Sequence, residues 1–226
     1  MCGRFTLEPT TTFYERFEIT NRIDDLVPRY NIAPGQDVPV VIHTSPNRLM
    51  RMQWGLIPHW AKEANVGYKM INARAESLTE RPAYRGLLRS QRCIVPASGF
   101  YEWQDTGKTG KQPYYIHADA SEYLPFAGLY DTWVNPDGNE VYSFTIITTQ
   151  PTVNLQAIHN RMPVILEPAA EAVWLDPDVT NAQELTPLLQ ADVSDAETFA
   201  QGTKCGQTTG LVYSQERHTP SMGRLT

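Results

Sequence analysis

The sequence predicts an α+β fold, a single domain whose core is a predominantly antiparallel, barrel-like β-sheet with helices at its periphery. Three observations carry this expectation. Eight short runs are rich in Val, Ile, Tyr, Phe and Thr, and several alternate between apolar and polar residues. Turn signatures separate them, chiefly Asp105-Thr106-Gly107-Lys108 and Asn135-Pro136-Asp137-Gly138. Helical patterns are short, and neither a long linker nor an internal repeat divides the 226 residues. One domain over residues 1–200 is therefore expected, followed by a loosely ordered tail over 201–226 that is rich in Gly, Thr, Ser and Gln.

In chain order, a helix is expected from Thr11 to Phe17, with Thr10 as its N-cap. Pro28 to Gly35 reads as an extended loop, because two prolines restrict it and Gly35 permits a turn. Strands follow at Val38–His43, Leu49–Trp54, Arg92–Pro96, Gly99–Trp103, Tyr114–His117, Phe126–Tyr130, Tyr142–Thr148 and Val164–Leu166. Helices are expected over Pro82–Ser90, Ala169–Trp174 and Ala182–Leu189.

Composition narrows the function classes. Hydrophobic residues make up 41% and charged residues 19%, as in soluble globular proteins. There is no basic segment followed by an apolar run at the start and no apolar stretch of about 18 residues, so neither a secretory signal nor a membrane span is expected. Cys2, Cys93 and Cys205 are odd in number and widely spaced, which favours a reducing, cytoplasmic setting over a disulfide framework. No His pair has metal-ligand spacing, so neither a metal nor another cofactor is expected.

The net charge is −6, but it is unevenly spread. Residues 162–203 hold eight acids and no Lys or Arg, whereas residues 48–92 hold nine basic residues and three acids. A locally positive face on an acidic protein is compatible with binding phosphates; solvated charge on helices is the plainer alternative.

The amino terminus is the most specific chemical signal. Met1 precedes Cys2, a side chain small enough for methionine removal, and the product would be a 1,2-aminothiol. Its amine, with a pKa of about 7.7–8.0 against about 10.4 for lysine, condenses readily with an aldehyde. The thiol, ordinarily near about 8.5, is then partly available as thiolate to close a thiazolidine. Such a terminus also serves as a nucleophile with its own amine as base. A terminal cysteine without a role is the bland alternative.

Six segments combine polar chemistry with unusual local sequence: Cys2-Gly3-Arg4, Tyr30-Asn31-Ile32-Ala33-Pro34, Trp54-Gly55-Leu56-Ile57-Pro58, Asn72-Ala73-Arg74-Ala75-Glu76, Ser98-Gly99-Phe100-Tyr101-Glu102-Trp103 and His159-Asn160-Arg161-Met162-Pro163. Taken singly, Asn72 reads equally as a cap, Glu102 as an ion-pair partner and His159 as a core histidine. In this order the six resemble the SOS-response-associated peptidase family, over residues 2 to about 190. Only Asp192-Val193-Ser194 is similar to the segment that often closes the family's domain.

The resemblance implies a protein that shields abasic sites in single-stranded DNA by covalent attachment, with the ring-opened sugar supplying the aldehyde. It implies Cys2 as crosslinking nucleophile, Asn72 as a fixing amide, Glu102 as a proton-shuttling carboxyl and His159 as proton donor during ring opening. Burial among Phe100, Tyr101 and Trp103 would raise the pKa of Glu102. Arg4, Arg74 and Arg161 each lie within two residues of these positions and are the expected phosphate clamps. Trp54 and Pro34 are the expected wedges against flanking bases, with Trp54 as plain core the alternative. A lyase side reaction and crosslink reversal are also implied, as is a monomer on nucleoid DNA. The competing readings are a thiol peptidase or N-terminal-nucleophile amidohydrolase using Cys2 and His159, and a non-catalytic single-strand binder.

Overall fold

The computed structural model describes residues 2–107, 110–117, 123–190 and, as backbone, 203–204. The expectations for Asp192–Ser194 and for the tail from Gln201 fall largely or wholly outside these residues, as do those for Met1, Lys108 and Cys205. The strands are β1 (Arg4–Leu7), β2 (Arg29–Ile32), β3 (Asp37–Ile42), β4 (Arg48–Trp54), β5 (Asn72–Arg74), β6 (Arg92–Ala97), β7 (Gly99–Asp105), β8 (Lys111–Ile116), β9 (Leu124–Val134), β10 (Glu140–Thr149), β11 (Met162–Pro163) and β12 (Thr203–Lys204). The helices are α1 (Phe13–Arg16), α2 (Pro82–Arg85), α3 (Leu87–Ser90), α4 (Pro168–Leu175) and α5 (Ala182–Leu185).

Strands β10, β4, β3, β6 and β9 pair in that order, and β9 pairs back onto β10, so five strands close into a barrel. The pairing is antiparallel except between β10 and β4 and between β10 and β5. A second sheet runs β12-β8-β7-β1-β2. The barrel-like α+β domain expected from the sequence is therefore present, with its helices short.

Aromatic packing joins the two layers. Phe5 of β1 sits edge-on to Trp54 of β4 at 5.1 Å and to Phe126 of β9 at 6.1 Å, and Phe100 of β7 meets Phe126 at 5.8 Å. All four rings are fully buried, and each such pair adds about 0.5–1.5 kcal/mol beyond the area it removes from water. This contact anchors β1 three residues after Cys2.

Several local expectations differ from the structure. The loop expected over Pro28–Gly35 contains β2, which gains ladder partners from β1: Ile32 opposite Phe5 and Arg29 opposite Leu7. Val164–Leu166 is not a strand of its own; Ile165 makes one isolated bridge to Phe126, just after β11. The helix over Pro82–Ser90 divides into α2 and α3 around Gly86, and Ala182–Leu189 finishes as a 3₁₀ turn, Thr186–Leu189. No helix among the described residues is long and apolar enough to cross a membrane.

Candidate active site

The floor of the site is set by register. β1 runs antiparallel to β7 with Arg4 opposite Tyr101 and Phe5 opposite Phe100, so the two residues before β1 run alongside Glu102 and Trp103. On the barrel side, β5 lies parallel to β10 with Asn72 opposite Ile146. The chain reaches β5 by an excursion from Trp54 that folds back on itself at two glycines. Gly55 adopts φ +125°, and a Cβ there would lie 2.7 Å from the carbonyl oxygen of Gly67, so only glycine permits this close return. Leu56 N–H then bonds Met70 C=O, and the Trp54 indole N–H donates to Ile71 C=O at 2.9 Å, one residue before Asn72.

Cys2 is fully buried at the meeting point of these elements. Asn72 Nδ2 donates to the carbonyl oxygen of Cys2 at 2.8 Å, while Asn72 Oδ1 is buried and accepts no hydrogen bond. An orphaned buried acceptor is costly for folding, and it suits this group to accept a hydrogen bond from an amine or hydroxyl of a ligand. Burial, reinforced by the charge of Glu102, pushes the Cys2 thiol far above its ordinary value.

Glu102, on β7, is 3% exposed, and burial raises its pKa, with His159 acting in the opposite sense. Its Oε2 lies 4.0 Å from His159 Nε2, close for charges but long for a direct hydrogen bond. His159 sits on the loop between β10 and β11. Its Nδ1 lies 3.0 Å from the backbone nitrogen and 3.2 Å from the backbone oxygen of Arg161, which leaves Nε2 as the ring nitrogen facing Glu102.

Arg161 is where the site departs from expectation. Its guanidinium is buried and bidentate on Glu76, at 2.6 and 3.0 Å, and also donates to the Thr148 carbonyl of β10. With both terminal nitrogens so engaged, it is a brace for the His159 loop rather than an open phosphate clamp. Glu76 is the partner that sequence reasoning overlooked; it lay inside the Asn72–Glu76 motif, but an ion pair across 85 residues has no local signature.

The Trp54 wedge is likewise corrected. Its side chain is 0% exposed, packed on Phe5 and tied to Ile71, whereas Trp60, six residues on, is 59% exposed. Pro34 is half-buried beside Gly35, whose Cα faces the exposed Tyr68 ring. Arg4 is half-buried, with Nη1 on the Gly3 carbonyl at 2.8 Å. Arg74 is exposed and lines a depression of about 420 Å³ with Gln150, His159, Asn160 and Arg161. Of the nine basic residues in 48–92, eight are exposed and Arg92 is buried on backbone carbonyls.

The structure thus brings Cys2, Asn72, Glu102 and His159 together from four separate segments. A family model described as SOS response associated peptidase (SRAP) matches residues 1–203. The chain belongs to this family. Among its relatives, the abasic site processing protein YoqW of Bacillus subtilis is 44% identical over 98% of both chains. The abasic site processing protein HMCES of Gallus gallus is 37% identical, covering 66% of this chain and 54% of its own. A solved structure of a protein from Bacteroides thetaiotaomicron superposes with a TM-score of 0.80 at 28% identity, over 88% of this chain and 90% of the other.

Proposed function

We propose that this chain processes abasic sites in single-stranded DNA by covalent attachment through Cys2 once Met1 has been removed. The observation that carries the proposal is the convergence of Asn72, Glu102 and His159 on a fully buried Cys2. Its relatives YoqW, YoaM and HMCES are abasic site processing proteins by name, which supplies the substrate class.

The chemistry balances without any added reagent. An acidic group of the site, Glu102 or His159, gives a proton to the ring oxygen of the abasic sugar as the C1′–O4′ bond breaks, and the C1′ hydroxyl returns its proton to the site, leaving the aldehyde. The freed α-amine of Cys2 attacks that carbon and water leaves, giving an imine. The neutral thiol then adds across the C=N bond, sulfur to carbon and proton to nitrogen, closing the thiazolidine. A buried carboxyl of raised pKa can carry a proton in each direction, which suits both closure and reversal. At the imine stage the adjacent C–H is acidified, so a lyase side reaction by loss of the 3′ phosphate follows from the same intermediate.

Recognition of the strand falls to exposed groups. Arg74 at the rim and Arg4 beside Cys2 suit phosphates, and Trp60 and Tyr68 take the base-stacking role first assigned to Trp54, with Pro34 at their edge. The unit is residues 1–200, acting as a cytoplasmic monomer on nucleoid DNA. Release of Met1 by the site itself is a second reading, supported by the placement of Cys2 where the charge of Glu102 reaches its thiol.

The test is incubation of the Met1-free protein with uracil-glycosylase-treated single-stranded DNA. A heat-stable conjugate that disappears with Cys2→Ala is expected. No conjugate with the wild type, or an undiminished one with the variant, overturns the proposal. Turnover of unrelated peptides by the same preparation would favour the peptidase.

A further inference from the structure

Outside the site, one pair of titratable side chains is built with unusual care. Asp131 of β9 is 5% exposed at its side chain, yet His59, which it holds, is 67% exposed. One carboxylate oxygen accepts both the backbone N–H of His59 at 2.8 Å and its Nδ1 at 3.0 Å. The other accepts Thr132 N–H at 2.8 Å and Gln91 Nε2 at 3.4 Å. A carboxylate only accepts, so Nδ1 carries a proton and the ring's Nε2 is the outward-facing atom. The segment is pinned further by Ile57 N–H on Ser143 Oγ at 2.7 Å and by the Trp133 indole on the Ala61 carbonyl at 2.7 Å. An imidazole whose direction is fixed by a buried carboxylate, beside the exposed Trp60, is placed to meet something outside the protein.

We infer that His59, oriented by Asp131, is a phosphate-binding residue for the DNA strand, and that its contact forms with the imidazolium. Protonated on both nitrogens, the ring bridges the buried carboxylate and a phosphate, donating one hydrogen bond to each. His59 is followed directly by Trp60, whose exposed ring takes a stacking role in the proposed strand contact, so a phosphate beside the stacked base would lie within reach of the imidazole. Asp131 is the charged group in contact with the ring. The other ionisable groups on the elements that carry it are Lys62 and Glu63 on its own loop, Tyr130 on β9, and Glu140 and Tyr142 on β10. Buried Asp131 would also cap the turn if His59 had no ligand, so the test must read phosphate binding rather than stability.

This inference rests on the single-strand reading above. Equilibrium binding of the Met1-free protein is measured on a single-stranded oligonucleotide carrying a tetrahydrofuran residue, which mimics the lesion but offers no aldehyde. Salt series are run at about pH 5.5 and about pH 8.5. We expect tighter binding at the lower pH. His59→Ala should cut the low-pH slope of log K against log salt by about 0.7, the share of one phosphate in a single strand, and leave the high-pH slope unchanged. His59→Arg should restore the slope at both pH values, and Asp131→Asn should lose it. A low-pH slope that His59→Ala does not lower overturns the inference. Crosslinking to a true abasic strand is assayed alongside. A conjugate with an unaffected slope overturns only the His59 contact, a His59-dependent slope without a conjugate overturns only the covalent reading, and failure of both assays overturns both.

Discussion

Cys2 and Cys93 are equally buried, and burial pushes both thiols far above their ordinary value, yet their surroundings differ in kind. Cys93 lies on β6 in the barrel wall, its sulfur close against Gly128 and its carbonyl taking the Trp174 indole N–H at 3.0 Å. Cys2 lies at the seam between the barrel and the second sheet, with Asn72, Glu102 and His159 around it. Desolvation alone makes a sulfur inert, as at Cys93. In the proposed reading, what distinguishes Cys2 is a set of groups suited to moving protons inside the same low-dielectric space, and the amine that removal of Met1 would free.

The largest effect that would break this comparison is at the cysteines. Cys2→Ala is expected to abolish the conjugate with abasic DNA. Cys93→Ala should leave its yield unchanged and lower stability by about 1 kcal/mol, the common cost of a small core change. Gel-shift yield and denaturant melts separate the two, and equal loss of conjugate in both variants would erase the distinction.

Next comes the carboxyl. Glu102→Gln should slow crosslink formation by about 10²–10⁴-fold, the usual value of a positioned acid or base. The same variant should be more stable than the wild type at neutral pH. Because burial raises the folded pKa of Glu102, its folded form holds the proton more tightly than the unfolded chain, so stability falls as pH rises through that folded value. The advantage of Gln should fade below the unfolded carboxyl value of about 4.3. Melting curves at neutral and acid pH decide it.

A smaller effect is expected at the brace. Glu76→Gln should cut the crosslinking rate about tenfold, equivalent to about 1.4 kcal/mol, by loosening the Arg161 segment that aims His159. The Arg161 hydrogen bond lowers the Glu76 pKa, so the brace is intact above the ordinary carboxyl range and is lost as pH falls through the depressed folded value. A wild-type rate in the variant, by stopped crosslinking assays, would return Arg161 to the strand. The smallest effect is Arg74→Ala, expected to lower the salt slope of strand binding by about 0.7 with the chemical step unchanged.

Much of the barrel was legible because its strands are long and rich in β-branched and aromatic residues. The strand at Asn72–Arg74 was not. Three residues are too few to show a period, and their pairing is supplied by β10, more than seventy positions away. The site divides in the same way. Cys2, Asn72, Glu102 and His159 were reachable through motif order, since each lies in a distinctive segment. Trp54 and Trp60 were not distinguishable by residue type, because which of two nearby indoles faces water is decided by Phe5 and Ile71, remote in sequence. Glu76 and Asp131 escaped for the same reason: their meaning lies in the partner each meets after folding.

Strand β10 serves as the ruler of the molecule. Along six consecutive residues it seats Asp131 opposite Ser143, Asn72 opposite Ile146, and Arg74 opposite Thr148, whose carbonyl also receives Arg161. Loops can lengthen or shorten around it at little cost, but a single inserted residue within that hexamer would shift Asn72 relative to Asp131 and turn the side chains beyond it to the other face. Such a chain could keep its barrel and still lose its grip on damaged DNA.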